Sequence, residues 1–249
     1  MKHPFWQTDW QNIQFTSLDV PLNLFQRPSA DFYSAFYSEL FKRYNSYDEL
    51  PLNWKNEKSV TAHEVLILIG KKKSVLSIGA GLGFVEKEIV YHAQSLTIDT
   101  YDFTNTASKW LVEVDRVNTL KSFSEARKYQ FIYCTQLLYA LSDDEISDFL
   151  ELVKNHLDVN GFFLTVDTSS NTTENGNSKS AKSQIKKILK NIFRPLYYFL
   201  FKNRSAQLWG WQRDNTEIIS HFAKKGFTLE KFFPAAGQSF IIFKLDNIK

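Results

Sequence analysis

Short apolar runs alternate with amphipathic ones from Val75 onward. Val75-Leu76-Ser77-Ile78 is a compact apolar run ending in glycine, and Phe84 to Tyr91 follows with helical spacing. Leu96 to Asp102 predicts a second strand, Thr104 or Asn105 can cap a further helix through Trp110, and a short strand falls near Val114–Val117. Phe131-Ile132-Tyr133-Cys134 predicts a buried strand, Ser142 caps a helix running to about Leu157, and Gly161 to Val166 predicts the next strand. A helix around Thr216–Lys225, closed by Gly226, precedes strands near Phe227–Phe233 and Phe240–Lys244. Strands alternating with helices argue for a parallel sheet covered on both faces.

Two stretches break this rhythm. Near the N-terminus Phe5, Trp6, Trp10 and Phe15 are scattered among polar residues, which predicts irregular structure. Ser29 and Asp31 then cap a helix in which Phe32/Tyr33, Phe36/Tyr37, Leu40/Phe41 and Tyr44 form a packing stripe. A second helix is expected from about Ser59 to Ile69, closed by Gly70 and the lysines Lys71 to Lys73. The other irregular stretch begins with a polar loop, Ser169 to Ser183. Asn175–Arg213 carries nine Lys or Arg and no acidic residue, with Ile185, Ile188/Leu189, Ile192/Phe193 and Leu196 at helical spacing until Pro195 bends or ends the helix. That composition suits a lid whose apolar face covers a pocket, or a segment lying on an anionic membrane through 181–204. The expected organisation is an aromatic helical extension over 1–57 and a main domain over 58–249, interrupted by a basic aromatic insertion at 169–209.

Composition narrows the classes. A chain of 249 residues is long enough for one large α/β domain, and 43% hydrophobic with 23% charged residues is ordinary for a globular protein. The net charge of +3 does not mark a nucleic-acid binder. A single cysteine, Cys134, rules out an intrachain disulfide and a thiolate metal cluster, and no metal site is expected. The N-terminus lacks the apolar run of a secretory signal, and no uncharged apolar stretch is long enough to span a membrane, so a cytoplasmic location is expected, with peripheral membrane contact left open.

Three of the nine glycines, Gly79, Gly81 and Gly83, stand within five residues between a strand and a helix. Such a turn lets a ligand approach the main chain closely and presents free amides at a helix N-terminus. The dinucleotide fingerprint would need glycine where Phe84 or Glu86 stands, and the phosphate-loop lysine is missing, so nicotinamide and nucleoside-triphosphate sites are disfavoured.

On these residues the sequence resembles class I S-adenosylmethionine-dependent methyltransferases. Val75 to Gly83 looks like the family's first motif, and Asp102, nineteen residues beyond Gly83, looks like its ribose-binding acid, with Asp99 the competitor. The segment Tyr129 to Leu141 resembles the fourth-strand region, Leu157 to Leu164 the fifth-strand entry, and Lys224-Lys225-Gly226-Phe227 with Phe240 to Phe243 the C-terminal hairpin. The resemblance implies a doubly wound, mainly parallel seven-stranded α/β sheet of Rossmann-like type, with a helical insertion after strand 5. It also implies S-adenosylmethionine as cofactor, held by Gly79, Ala80, Gly81, Gly83, Asp102, Phe103 against the adenine, and Gln136 near the methionine part.

The expected activity is methyl transfer to a small-molecule, glycan or lipid-linked acceptor, to oxygen rather than nitrogen. Asp167, at the end of a strand, is the candidate general base, and Tyr139 a candidate orienting group. No Asp/Asn-Pro-Pro-aromatic segment follows the fourth strand, so DNA is not an expected partner. Ser77 stands where many relatives carry an acid, and Ala140 where many carry histidine. Those departures motivate a second reading as a non-catalytic S-adenosylmethionine-binding protein, and an RNA methyltransferase is a third.

Overall fold

The computed structural model describes residues 2–104, 107–125, 127–168 and 205–245. The N-terminal stretch forms β1 (His3–Gln7), the short pair β2 (Asp9–Trp10) and β3 (Ile13–Gln14), α1 (Ala30–Arg43) and α2 (Leu52–Ile69). Ser29 caps α1 by accepting from the Phe32 amide. Helix α2 starts at Leu52 instead of near Ser59, because its first turns are held by tertiary contacts that the hydrophobic pattern does not display. Trp54 packs edge-on against Phe84 at 5.4 Å, and Lys58, polar in any periodicity count, is buried.

Eight strands and three helices follow: β4 (Val75–Ile78), α3 (Phe84–His92), β5 (Ile98–Tyr101), β6 (Val117–Thr119), β7 (Tyr129–Thr135), α4 (Asp143–His156), β8 (Leu157–Asp167), β9 (Gln207–Gln212), α5 (Asn215–Ala223), β10 (Phe227–Ala235) and β11 (Gln238–Leu245). Ser142 and Glu145 form a reciprocal capping box at the start of α4, satisfying two amides that the helix cannot. The helix expected through Trp110 is replaced by a turn at 107–110 and a 3-10 turn at Leu111–Glu113. The tighter winding drives Leu111, fully buried, into the space beside Gly83.

Seven strands form one sheet in the order β10-β11-β8-β7-β4-β5-β6. The five from β4 to β8 are parallel, and β11 runs antiparallel to β8 and β10 to β11. Both faces of the central strands are buried, so their apolar runs are continuous rather than alternating. On one face Ile132, Phe163, Phe222 and Phe243 pack with α4 and α5; on the other Ile98, Phe131, Leu164 and Phe240 pack with α2 and α3. Because β5 and β7 flank β4 on opposite sides, the chain reverses its direction of winding at β4, where open α/β sheets bind ligands beyond the strand ends.

The N-terminus is not irregular. Strand β1 pairs antiparallel with β9, with His3 opposite Gln212 and Gln7 opposite Gln207. Trp209 enters a third core with Phe15, Phe32 and Phe36, and its ring stacks on Phe15 at 5.2 Å. The polar loop expected at 169–183 and the basic helix around 185–196 lie outside the described residues. No described helix is long and apolar enough to cross a membrane.

Trp209→Ala should remove the ring that ties the end of the chain to its beginning. We expect a loss of about 3–5 kcal/mol, as for other buried large-to-small aromatic truncations. Chemical denaturation should show it as a lower midpoint with an unchanged slope.

Candidate functional site

The turn after β4 takes its shape from left-handed backbone. Gly81 (φ +55°) and Gly83 (φ +75°) adopt conformations that side chains oppose, for different reasons. At Gly83 a Cβ would sit 2.3 Å from Leu111, so glycine is needed for packing as well as for φ. At Gly81 a Cβ would meet the Tyr37 hydroxyl at an ordinary contact distance of 3.5 Å, so there the left-handed φ and not packing calls for glycine. Gly83 caps α3 and brings no side chain to its first turn, so the helix meets the cavity with its amide end.

Asp102, just beyond β5, braces this turn from the neighbouring strand. Its Oδ2 accepts from the Gly81 amide at 2.8 Å, and its Oδ1 from the Thr104 amide and hydroxyl. A carboxylate has about four acceptor sites, so one stays available. Asp99, the competing candidate, points away: it is 7% exposed and accepts from Tyr129 Oη and Asn118 Nδ2.

Gly79, Ala80, Gly81, Gly83, Asp102, Phe103, Gln136 and Tyr139 all line one cavity of about 1080 Å³. Ligand pockets span about 300–1,000 Å³, so this one lies just above the usual range. Residues from outside the sheet also line it: Trp10, Phe25, Arg27, Tyr33 and Tyr37 from the N-terminal stretch, and Trp211 from β9. The sequence presented Tyr33 and Tyr37 as packing surface. Burial pushes the phenols of Tyr33 and Tyr37 far above their ordinary acidity range, and that of Tyr139 up to about 12, so all three are neutral hydroxyls at physiological pH.

Gln136 ends β7 with φ +53°, which turns its amide toward α2. Its Oε1 accepts from Lys58 Nζ at 2.7 Å, and its Nε2 donates to Glu57 at 3.3 Å. Lys58 also lines the cavity, and sequence reasoning missed it.

The comparisons with known proteins bear on the family and the fold. A family model described as a methyltransferase domain matches residues 54–237, most of the chain. The chain belongs to this methyltransferase family. No curated protein matches it. Among solved structures, human N-acetylserotonin methyltransferase in complex with SAM superposes with a TM-score of 0.55 at 16% identity, over 88% of this chain and 57% of that one. The mitomycin 7-O-methyltransferase MmcR gives 0.57 at 15% identity, over 88% and 64%. Magnesium protoporphyrin IX methyltransferase from Synechocystis PCC 6803, with bound SAH, gives 0.59 at 11% identity, over 87% and 98%. The methyltransferase thus spans less than two thirds of the first two matched chains, and at these identities the likeness is one of fold.

Two acidic groups of the methyltransferase lie behind the cavity wall. Glu86 of α3, 1% exposed, accepts from Ser77 Oγ at 2.6 Å and Tyr133 Oη at 2.9 Å, so a carboxyl group does stand beside Ser77. Asp167, expected as a general base, is 4% exposed and is not among the cavity-lining residues. Thr165, two positions earlier on the same face of β8, donates to its Oδ2, and its Oδ1 is buried without a partner among the described residues. Arg213 closes the region by donating to the Leu138 and Leu141 carbonyls at 2.8 and 2.7 Å and to Asp143. This fixes the turn that carries Tyr139. Gly210 of β9 packs so closely on that turn that a Cβ would lie 2.2 Å from the Tyr139 carbonyl.

Burial raises the Asp167 pKa from 3.8 to about 6, with Thr165, Arg213 and Lys58 opposing the shift. A carboxyl whose folded pKa lies above its unfolded value stabilises the fold below the unfolded pKa, and that contribution is lost as pH rises through about 6. The difference corresponds to roughly 3 kcal/mol. Asp167→Asn should therefore gain about that much relative to wild type between about pH 4 and about pH 7.5, measured by denaturation at both ends. A constant difference across that range would show that Asp167 does not titrate with folding.

Proposed function

We propose that the chain transfers a methyl group from S-adenosylmethionine to the hydroxyl of a small ring-bearing acceptor. The observation that carries this reading is the single cavity lined both by the glycine turn with Asp102 and by a set of aromatic rings. The residues present suit the cofactor: main chain bare of a side chain at Gly81, spare acceptor capacity on Asp102 for a ribose hydroxyl, Phe103 at 57% exposure for the adenine face, and Gln136 with Lys58 for the amino-acid end. When bound, the cofactor supplies an electrophilic methyl on a sulfonium.

The chain's own residues then have to orient an acceptor and exclude water. The rings of Trp10, Tyr33, Tyr37 and Trp211 offer flat apolar surface, and Tyr139 a neutral hydroxyl held in place by Arg213 and Gly210. Of the three cavity-lining carboxylates, Asp102 is engaged by the turn, Glu145 by Arg27 and its capping box, and Asp148 stands exposed on α4. With Asp167 behind the wall, proximity is favoured over a dedicated base, and an acceptor with an acidic hydroxyl such as a phenol fits best. The names of two matched proteins, N-acetylserotonin methyltransferase and mitomycin 7-O-methyltransferase, support a small-molecule acceptor.

The test is incubation with labelled cofactor and separate phenolic, glycan, lipid and RNA pools. Label should enter the phenolic pool. Label confined to lipid, glycan or RNA would overturn the acceptor class, and cofactor binding with no label in any pool would favour a non-catalytic binding protein. Asp102→Asn should weaken S-adenosylhomocysteine by about 10- to 100-fold in calorimetry, since a hydrogen bond to a charged group contributes about 1.5–3 kcal/mol.

A further inference from the structure

Two of the large apolar side chains left exposed among the described residues line the cavity, Phe103 and Phe25. Phe103 has the adenine face as its proposed partner, whereas Phe25, 74% exposed, has no part in the cofactor site. A ring that lines a cavity and is still mostly open stands where the cavity meets solvent. The backbone beneath it is fixed residue by residue. The Asn23 side chain accepts from the Phe25 and Gln26 amides at 2.8 and 3.0 Å. The buried Gln207 of β9 holds the same segment twice: its Oε1 accepts from the Asn23 amide at 2.8 Å, and its Nε2 donates to the Gln26 carbonyl at 2.7 Å. The Leu208 amide donates to the Asn23 carbonyl, and Trp6 Nε1 to the Leu24 carbonyl. The Leu24 side chain is buried with Trp6 and Leu208, and Arg27 donates to the Ala140 carbonyl at 2.9 Å and to Glu145.

A single exposed ring on a protein surface needs no explanation. Phe25 differs because it lines a ligand cavity and because its backbone is tied both to β9 and to the start of α4. A fixed backbone leaves the ring two side-chain torsions to lose on contact. An apolar group placed against it therefore gains burial at a small ordering cost. Trp211, on the same strand as Gln207 and Leu208, also lines the cavity, so the arch and the strand that holds it each contribute a ring. We infer that Phe25 is a specificity-determining residue for the acceptor, an apolar contact for the part that reaches toward solvent beyond the reacting ring. This rests on the methyl-transfer reading above and narrows it. The favoured acceptor is a phenol that carries an apolar extension, such as a second ring, rather than a single-ring phenol.

Two acceptors separate this role from a structural one. Phenol and 4-phenylphenol carry the same reacting hydroxyl, and only the second carries an apolar extension. With S-adenosylmethionine as donor, wild type should favour 4-phenylphenol in kcat/KM. Phe25→Ala should lower that preference by about 5- to 30-fold, through KM rather than kcat, because the contact is the same in ground and transition states. Phe25→Tyr, which keeps the ring, should retain most of it. The thermal midpoint of ligand-free Phe25→Ala should stay within about 2 °C of wild type, as at other exposed positions. A larger fall would show that the ring is packed within the protein, and an unchanged preference would show that the acceptor does not reach it. Either result, or a wild type without preference for 4-phenylphenol, would overturn the assignment while methyl transfer to phenols stands. A wild type that methylates neither phenol would overturn both.

Discussion

The hydrogen bond from the Gly81 amide to Asp102 joins the ends of two neighbouring strands, and the site is organised around it. It forms because β4 and β5 are parallel and in register, with Ile78 opposite Tyr101, so both chains leave the sheet at the same height. The Gly79 amide donates to the Tyr101 carbonyl one step below, which extends the ladder into the turn. From there the left-handed glycines swing the chain into α3 with its amide end toward the cavity. A side chain at Gly81 would oppose its left-handed φ, and one at Gly83 would push Leu111 out of the core. The turn is thus braced from one side by a carboxylate and from below by packing, while its upper surface stays bare.

What the sequence revealed follows from how local each cause was. The central strands were legible because burial on both faces leaves continuous apolar runs, and α4 because its capping box is written in four residues, Ser142 to Glu145. The glycine turn, Asp102, Phe103, Gln136 and Tyr139 were legible from their order along the chain, and the fold gathers them around one cavity. The β1–β9 ribbon was not, because Phe5 and Gly210 pair across most of the chain and neither segment carries a strand signature alone. Lys58 was illegible for a related reason. A lysine on a helix reads as solvated unless the fold that buries it is known.

Asp167 shows how a correct position can mislead about a side chain. Its place at the C-terminal end of a strand is right, since β8 ends there. Alternation along the strand then decides which face it takes, and Thr165 two residues earlier holds the carboxyl inside the sheet-helix layer. Ser77 is the converse: the serine makes the strand look as if it lacks an acid, yet Glu86 returns one from the first turn of α3, hydrogen-bonded to the serine itself. Side-chain chemistry at one point in space can be supplied from either of two elements, and a motif read along one of them misses this.

The cavity lining has two separate origins, and this bears on how its specificity can vary. The sheet supplies the glycine turn, Asp102 and Gln136, all fixed by strand register. The ring wall comes from α1, the segment before it and β9, which pack on one another through Trp209 and meet the sheet domain at the Tyr139 turn and the glycine-turn flank. Gly210 against the Tyr139 carbonyl and Arg213 on the Leu138 and Leu141 carbonyls are the joints between the two sources. Rings on the wall can therefore be exchanged at the cost of local packing without disturbing the strand ends that the turn requires. The joints lack that freedom, because they carry a buried charge and a backbone contact closer than any side chain permits.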